Sequence, residues 1–297
     1  MTVRAGFIGG GFMGAVHTRA VRAARGELVA LASSTPEKGR AAALELGVGR
    51  AEADAAALAA ASDLDVVHVC SPNAQHAEHA LAAIAAGHHV VCEKPLATTV
   101  ADAERMVAAA AAAGVVGAVP FVYRYHPMVR QARALVAEGA VGTILTIDAA
   151  YLQDWLSHAD DHNWRTDAAA GGASRAFADI GSHLCDLVEF VTGRRIARLT
   201  ARTRTVYADR GGASVANEDI VALLVELDDG ALGTLLVSQL APGRKNGLVL
   251  ELHGTAQSIR FAQERPEELW LGRREGSQLV LRDPASDAPD SARLSIV

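Results

Sequence analysis

A short apolar run, Val3 to Ile8, leads directly into Gly9-Gly10-Gly11-Phe12-Met13-Gly14 and then into a helical pattern through Val16, Ala20 and Val21. Glycines at G-x-G-x-x-G spacing, after a strand and at the opening of a helix, leave few folds open. Gly9 permits a tight turn, Gly11 lets a ligand approach the backbone, and Gly14 lets helix and strand pack closely. The first N–H groups of such a helix lack intrahelical partners and carry its positive dipole end, which suits a pyrophosphate. The pattern predicts a dinucleotide-binding unit at the front of the chain, with Gly9, Gly11, Phe12, Met13 and Gly14 around the cofactor.

The rest of the first 120 residues alternates in the same way. Strands are expected at 3–8, 28–32, 65–70, 89–92 and 115–119, with helices near 14–25, 36–46, 75–86 and 100–113. Thr35-Pro36 is a good cap and first-turn pair for the second helix. This is a doubly wound parallel sheet, assigned to residues 1–120. From Pro120 the pattern changes. A helix near 127–138 precedes a strand at 143–151, a loop and a helix near 175–192. Strands then follow at 199–208, 219–227, 231–240 and 248–254, with Asp228-Asp229-Gly230 as a hairpin turn. Residues 121–297 are therefore expected to form an α+β domain with a large, mostly antiparallel open sheet. The Asp/Pro/Ser-rich stretch Arg282 to Arg293 reads as a loose segment.

Half of the 297 residues are apolar and 4% are aromatic, which suits a helix-rich globular protein with an aliphatic core. A net charge of −6 argues against nucleic acid as a partner. No window approaches the apolar length of a membrane span, and Met1-Thr2-Val3-Arg4 runs straight into a strand, so neither a membrane segment nor a leader is expected. Cys70, Cys92 and Cys185 are odd in number and widely spaced, which disfavours disulfides or structural zinc and points to a reducing cytoplasm.

Among 28 basic residues only Lys38, Lys94 and Lys245 are lysines. Arginine stays charged at any usable pH, whereas a desolvated lysine can release its proton. A lysine kept at the end of the apolar run His89-Val90-Val91-Cys92, within Glu93-Lys94-Pro95, suggests that position 94 needs a titratable amine. A second cluster opens the helix near 175–192. Ile180, Leu184, Leu187, Val188 and Val191 form its apolar stripe, while Asp179, His183 and Asp186 fall at i, i+4 and i+7 on another, polar face. A carboxylate one turn before a histidine can orient the ring as a general acid/base. A divalent-metal site at His76 and His79, or within Ser157 to His162, is not expected, because such loop clusters are usually solvated.

Together these features resemble the Gfo/Idh/MocA oxidoreductase family, the group around glucose–fructose oxidoreductase and inositol dehydrogenase. The glycine run is similar to its fingerprint. Cys70-Ser71-Pro72-Asn73 with His76 is similar to its strand-end loop along the cofactor. Glu93-Lys94-Pro95 and Asp179-x-x-x-His183 match its E-K-P and D-x-x-x-H motifs, and Tyr123 to Pro127 and Asn163-Trp164-Arg165 fit as well. The resemblance implies an NAD(P)-dependent dehydrogenase acting on a secondary alcohol of a sugar, sugar derivative or cyclitol. It implies Lys94, His183 and Asp179 as catalytic residues, with a cis peptide before Pro95. Ser71, Pro72, Asn73, His76, Glu93, Lys94, Trp164 and Arg165 would join the glycines on the cofactor. Lys94, Tyr123, Gln153, Trp155, Asp179 and His183 would meet the substrate.

Two departures stand out. Where many members carry an acid after the second strand, this chain has Ala32-Ser33-Ser34-Thr35, so that Ser33, Ser34, Lys38 or Arg40 is expected to accept a 2′-phosphate at the adenosine ribose and the cofactor leans toward NADP. Members also commonly carry a C-terminal segment that returns to the nucleotide domain. This sequence stops at Val297 without a helical return, so either that contact is missing or the sequence is a shortened form. Strands such as Ile220 to Val225 and Leu232 to Leu240 are apolar on both faces, which predicts a homodimer or homotetramer through the open sheet. The competing cover for that face is the stretch Leu294 to Val297. Two other functions stay open: an NAD-dependent glycoside hydrolase of the same family, and a non-catalytic NAD(P)-binding sensor.

Overall fold

The computed structural model describes residues 2–295. The chain divides into two compact units. One runs to Pro120 and takes in Ala169–Gly172; the other comprises Phe121–Ala168 and the chain from Ala173 onward.

The first unit is built from β1 (Arg4–Ile8), α1 (Phe12–Ala23), β2 (Glu27–Ala32), α2 (Pro36–Leu46), β3 (Arg50–Ala51), α3 (Ala55–Ala59), β4 (Val66–Val69), α4 (His76–Ala85), β5 (His89–Cys92), α5 (Val100–Ala113) and β6 (Gly117–Ala118). The strands form one parallel sheet in the order β3-β2-β1-β4-β5-β6. Helices cover both faces, so the central strands bury both sides: Phe7, Ile8, Leu31, Val67 and Val69 are all inaccessible or nearly so. The expected cap of α2 is present, with Thr35 Oγ1 accepting the Lys38 N–H at 3.2 Å. β3 and α3 were not anticipated. A two-residue strand and a five-residue helix are too short to display a period, and α3 is started by Asp54 accepting the Ala57 N–H at 2.8 Å.

The second unit opens with a 3₁₀ turn at Val122–Tyr125, followed by α6 (Pro127–Ala137), β7 (Ile144–Leu152) and the short α7 (Ala168–Gly171), most of which belongs to the first unit. A π turn at Phe177–Gly181 leads into α8 (Ser182–Thr192). Strands β8 (Ile196–Arg204), β9 (Asp209–Arg210), β10 (Ala213–Ser214), β11 (Ile220–Leu227), β12 (Leu232–Ser238), β13 (Gly247–Gly254), β14 (Ser258–Ala262), β15 (Glu268–Arg273) and β16 (Gly276–Leu281) follow, then α9 (Pro289–Ser295). Eight strands form one sheet in the order β16-β15-β14-β13-β7-β12-β11-β8, antiparallel except for the parallel pair β7–β12.

One face of this sheet packs on α6 and α8, with Val221, Leu223, Val225, Leu235 and Val237 meeting Met128, Val129, Leu184, Leu187 and Val188 in a single core. The β11–β12 register turns the alternate residues outward, and Leu224, Leu232 and Leu236 are exposed. Leu223 and Val225 therefore belong to the inner core, and Leu224 is the residue that marks the open face. The stretch expected to be loose contains α9, which packs on α6; the Ala288 N–H donates to Gln131 Oε1 at 2.6 Å, and Ser291 is fully buried. Of the proposed Leu294–Val297 cover, Ile296 and Val297 lie outside the described residues.

Candidate active site

The strand order of the first unit reverses between β1 and β4, and ligands of open α/β sheets bind at the carboxyl ends of strands beside such a reversal. The loops after β1, β4 and β5 carry the glycine turn, Ser71-Pro72-Asn73 and Glu93-Lys94-Pro95. Gly9 has φ +112°, and a Cβ there would stand 2.5 Å from the Cys70 carbonyl oxygen. A Cβ on Gly14 would stand 2.2 Å from the Gly9 carbonyl oxygen, so the turn and α1 touch backbone to backbone. At Gly11 the outcome is the opposite, because a Cβ would meet nothing within 4 Å. Gly11 is the N-cap of α1, no side chain caps it, and the first turn holds no acid. Open space in front of uncapped N–H groups fits a dinucleotide pyrophosphate. Phe12 is exposed and Met13 half-buried beside it. Ser33, Ser34 and Lys38 lie between the end of β2 and the first turn of α2, and nearby Glu37 is paired with Arg40 at 2.9 Å.

The loops after β4 and β5 are fastened by buried histidines. His76 is almost inaccessible; its Nδ1 faces the Pro95 carbonyl at 2.8 Å and its Nε2 the Ser71 carbonyl at 2.9 Å. Burial pushes its pKa down. Both partners are carbonyl oxygens, so the ring nitrogen that carries a proton is the donor, and the side chain sits between the two loops. His79 Nδ1 meets Ser71 Oγ at 2.9 Å, and Asn73 Nδ2 donates to the Gly171 carbonyl at 3.1 Å. These partners leave His76 and His79 poorly placed as a metal pair. Among the described residues, no cluster of His, Cys, Asp and Glu is suited to an ion. The Lys94–Pro95 bond is cis.

Glu93 is buried, with Oε1 3.0 Å from His17 Nε2 and Oε2 accepting the Lys94 N–H at 3.1 Å. Burial pushes its pKa up, but the hydrogen bond and charge of His17, with the charge of Lys94, outweigh it and hold the carboxyl below the usual range. His17 Nδ1 lies 2.9 Å from His68 Nδ1, and burial pushes His68 down to about 3, so that ring is neutral. Burial also raises the Cys70 thiol and takes Cys92 up to about 12.

In the second unit Asp179 lies on the π turn and His183 on the first turn of α8. The expected polar face is absent. The π turn changes the phase of the helix, His183 is buried, and Asp186 is tied to Arg124 Nε at 2.8 Å. Asp179 accepts from Gln239 Nε2 at 2.9 Å and pairs with Arg165 Nε at 3.2 Å. Gln239 is held in turn by Arg175, whose guanidinium also meets Asn217 and Asp219. Asp219 sits between Arg175 and Arg210, all three fully buried. Arg165 is therefore committed to Asp179, and its guanidinium stacks 4.4 Å from the ring of Trp164.

His183 is wedged edge-on between Phe121 at 5.6 Å and Tyr123 at 5.0 Å. Tyr123 is buried, and its hydroxyl meets the Tyr151 hydroxyl and Asn246 Nδ2, the latter at 3.2 Å. Its hydroxyl thus serves a packing network rather than pointing outward. The network continues from Asn246 Oδ1 to Gln153 Nε2 at 3.2 Å, and from Gln153 Oε1 to Trp155 Nε1 at 2.7 Å. Tyr123, Gln153, Trp155 and His183 are brought together by Tyr151 and Asn246, which were not anticipated.

Comparison with known proteins agrees with both units. Residues 3–121 match the family model described as "Oxidoreductase family, NAD-binding Rossmann fold", and residues 129–260 match "GFO/IDH/MocA C-terminal domain". Levoglucosan dehydrogenase of Pseudarthrobacter phenanthrenivorans is 33% identical over 292 residues, which span 89% of this chain and 74% of that enzyme. The 1,5-anhydro-D-fructose reductase of Ensifer adhaerens is 32% identical over 274 residues, spanning 90% and 79%. A solved structure of levoglucosan dehydrogenase in complex with NADH and levoglucosan superposes with a TM-score of 0.93 at 32% identity, covering 98% of this chain and 83% of that one. With an NAD-binding Rossmann unit, a C-terminal unit of matching family and relatives of this similarity, the chain belongs to the Gfo/Idh/MocA family of oxidoreductases.

Proposed function

We propose that this oxidoreductase interconverts a secondary alcohol of a cyclic sugar, sugar derivative or cyclitol with the corresponding ketone, using a nicotinamide dinucleotide. The observation that supports this most is the convergence of the open Gly11 cradle and the Lys94 loop at the reversal of strand order in one sheet. Its relatives carry names that specify anhydrosugar substrates. When bound, the cofactor supplies the hydride acceptor. The chain must supply binding, orientation and a route for the proton.

Lys94 is assigned to hydrogen-bond the alcohol oxygen, which gains negative character as its proton leaves. The His183 imidazole is assigned to take that proton, and Asp179, fixed by Gln239 and Arg165, to orient the substrate or the ring. Gln153 and Trp155 offer amide and indole groups suited to sugar hydroxyls and ring faces, while Tyr123 holds His183 from behind. Phe12, Met13, Ser71, Pro72, Asn73, Glu93, Trp164 and Arg165 are assigned to shape the cofactor site, and His76 to act on it through the loops it joins. Ser33, Ser34 and Lys38 are assigned to accept a 2′-phosphate, giving a lean toward NADP. The exposed leucines of β11 and β12 are assigned to self-association, and three free thiols suit a reducing cytoplasm. No helix among the described residues is long and apolar enough to cross a membrane.

Product analysis tests the assignment. Incubation with oxidised cofactor and a reactive sugar should yield one ketone per reduced cofactor, seen by mass spectrometry as the loss of two hydrogens. Aglycone release from a glycoside without net cofactor reduction would replace it with a hydrolase.

A further inference from the structure

His17 lies one turn beyond Gly14 on α1, and Glu93 lies at the end of β5, yet their side chains meet at 3.0 Å with both almost fully buried. An ionised carboxylate only accepts hydrogen bonds, so His17 Nε2 is the donor. With Oε1 engaged in this way, Oε2 is free to accept the Lys94 backbone N–H. The other side of the imidazole is fixed by His68, whose ring stacks on Phe7 at 5.1 Å. A buried carboxylate that loses one of two partners must protonate, turn or draw in water. Turning carries Oε2 away from the Lys94 N–H, and protonation weakens Oε2 as its acceptor.

We propose that His17 is a positioning residue for Lys94, acting through Glu93, so that the helix carrying the glycine turn also sets the aim of the amine. This rests on the assignment of Lys94 to the alcohol oxygen. A displacement of about 1 Å at a reacting group costs on the order of a hundredfold in rate, so a loosened Lys94 loop is expected to lower turnover ten- to a hundredfold.

Two conservative variants separate positioning from packing. Glutamine places its amide nitrogen near the Nε2 position and keeps a donor to Glu93; asparagine reaches only the Nδ1 position and keeps the His68 contact alone. Because the chain has only three lysines, [15N]lysine labelling gives three backbone amide signals, and Lys94 is assigned from a Lys94→Arg variant. The spectra are recorded without cofactor. His17→Asn should move the Lys94 amide upfield and lower kcat about ten- to a hundredfold with KM little changed. His17→Gln should leave the signal near its wild-type position and kcat within about threefold. The proposal is overturned if His17→Asn leaves the Lys94 amide and kcat unchanged, or if both variants stay folded and shift the amide equally. Near-wild-type turnover of Lys94→Ala would instead remove the catalytic assignment, and the amide signals would still decide whether His17 holds the loop.

Discussion

Gly11 and Gly14 are separated by one helical turn, yet the structure predicts opposite consequences for adding a single methyl group. In Gly14→Ala the new Cβ would stand 2.2 Å from the Gly9 carbonyl oxygen and 3.2 Å from its carbon. Both are backbone atoms, so β1 and α1 must separate rather than a side chain swing aside. Overpacking of this kind typically costs about 1–3 kcal/mol. In Gly11→Ala the Cβ enters open space, and exchanging glycine for alanine at an N-cap costs under about 1 kcal/mol. That methyl group would, however, occupy the place assigned to the pyrophosphate. Losing one or two charge-assisted hydrogen bonds there, at about 1.5–3 kcal/mol each, weakens the dinucleotide about tenfold or more. Urea titration of the first unit's transition and fluorescence titration with reduced dinucleotide measure the two effects. Gly14→Ala should lower the urea midpoint, whereas Gly11→Ala should retain it and lose affinity. Undiminished cofactor affinity in Gly11→Ala would refute the assignment of that space to the phosphates.

Lys94→Ala should lower kcat by about two to four orders of magnitude with cofactor affinity little changed, and Lys94→Arg should not restore it; steady-state kinetics with dinucleotide titration read both. Asp219→Ala should destabilise the second unit by about 3–5 kcal/mol in denaturant titration, because Arg175 and Arg210 would be left buried without their shared carboxylate. Burial raises the Asp219 pKa but its arginine and backbone partners depress it further, so its contribution is complete above the ordinary carboxylate range. That contribution is lost as pH falls through the lowered folded value, and acid unfolding should begin at higher pH in Asp219→Asn. Leu224→Glu, on the open face, should shift the mass in light scattering toward monomer, whereas a wild type already monomeric at micromolar concentration removes the self-association proposal.

The nucleotide unit was legible because its signals are local. A strand, a glycine turn and a helix occupy consecutive residues, and Thr35 and Thr99 cap their helices as such residues do. The second sheet was legible from alternation and the Asp228–Gly230 turn, but its facing was not, since Leu223 and Leu224 are equally apolar and only the register separates them. The sequence around Asp179 and His183 shows the 3.6-residue period of a plain helix, and a π turn has no period of its own to reveal it. Residues that support the site from afar left the least trace. Gln239 and Asn246 lie 60 and 63 residues from Asp179 and His183, and they are joined to the site only by hydrogen bonds that exist once the sheet is folded. His17 did leave a signal: a histidine on a helix face otherwise made of Gly14, Thr18 and Val21 calls for a partner. The partner, 76 residues away, follows only from the β1-β4-β5 order.

Oxidation of a ring alcohol by a nicotinamide cofactor is directly observable. The most direct measurement supplies oxidised NAD or NADP with a panel of pyranoses, anhydrosugars, inositols and 2-hydroxy acids and follows the absorbance of the reduced cofactor. The expected result is turnover with at least one cyclic sugar or cyclitol, falling by about two orders of magnitude or more in both Lys94→Ala and His183→Ala. Turnover confined to the 2-hydroxy acids, or undiminished in those two variants, would contradict it.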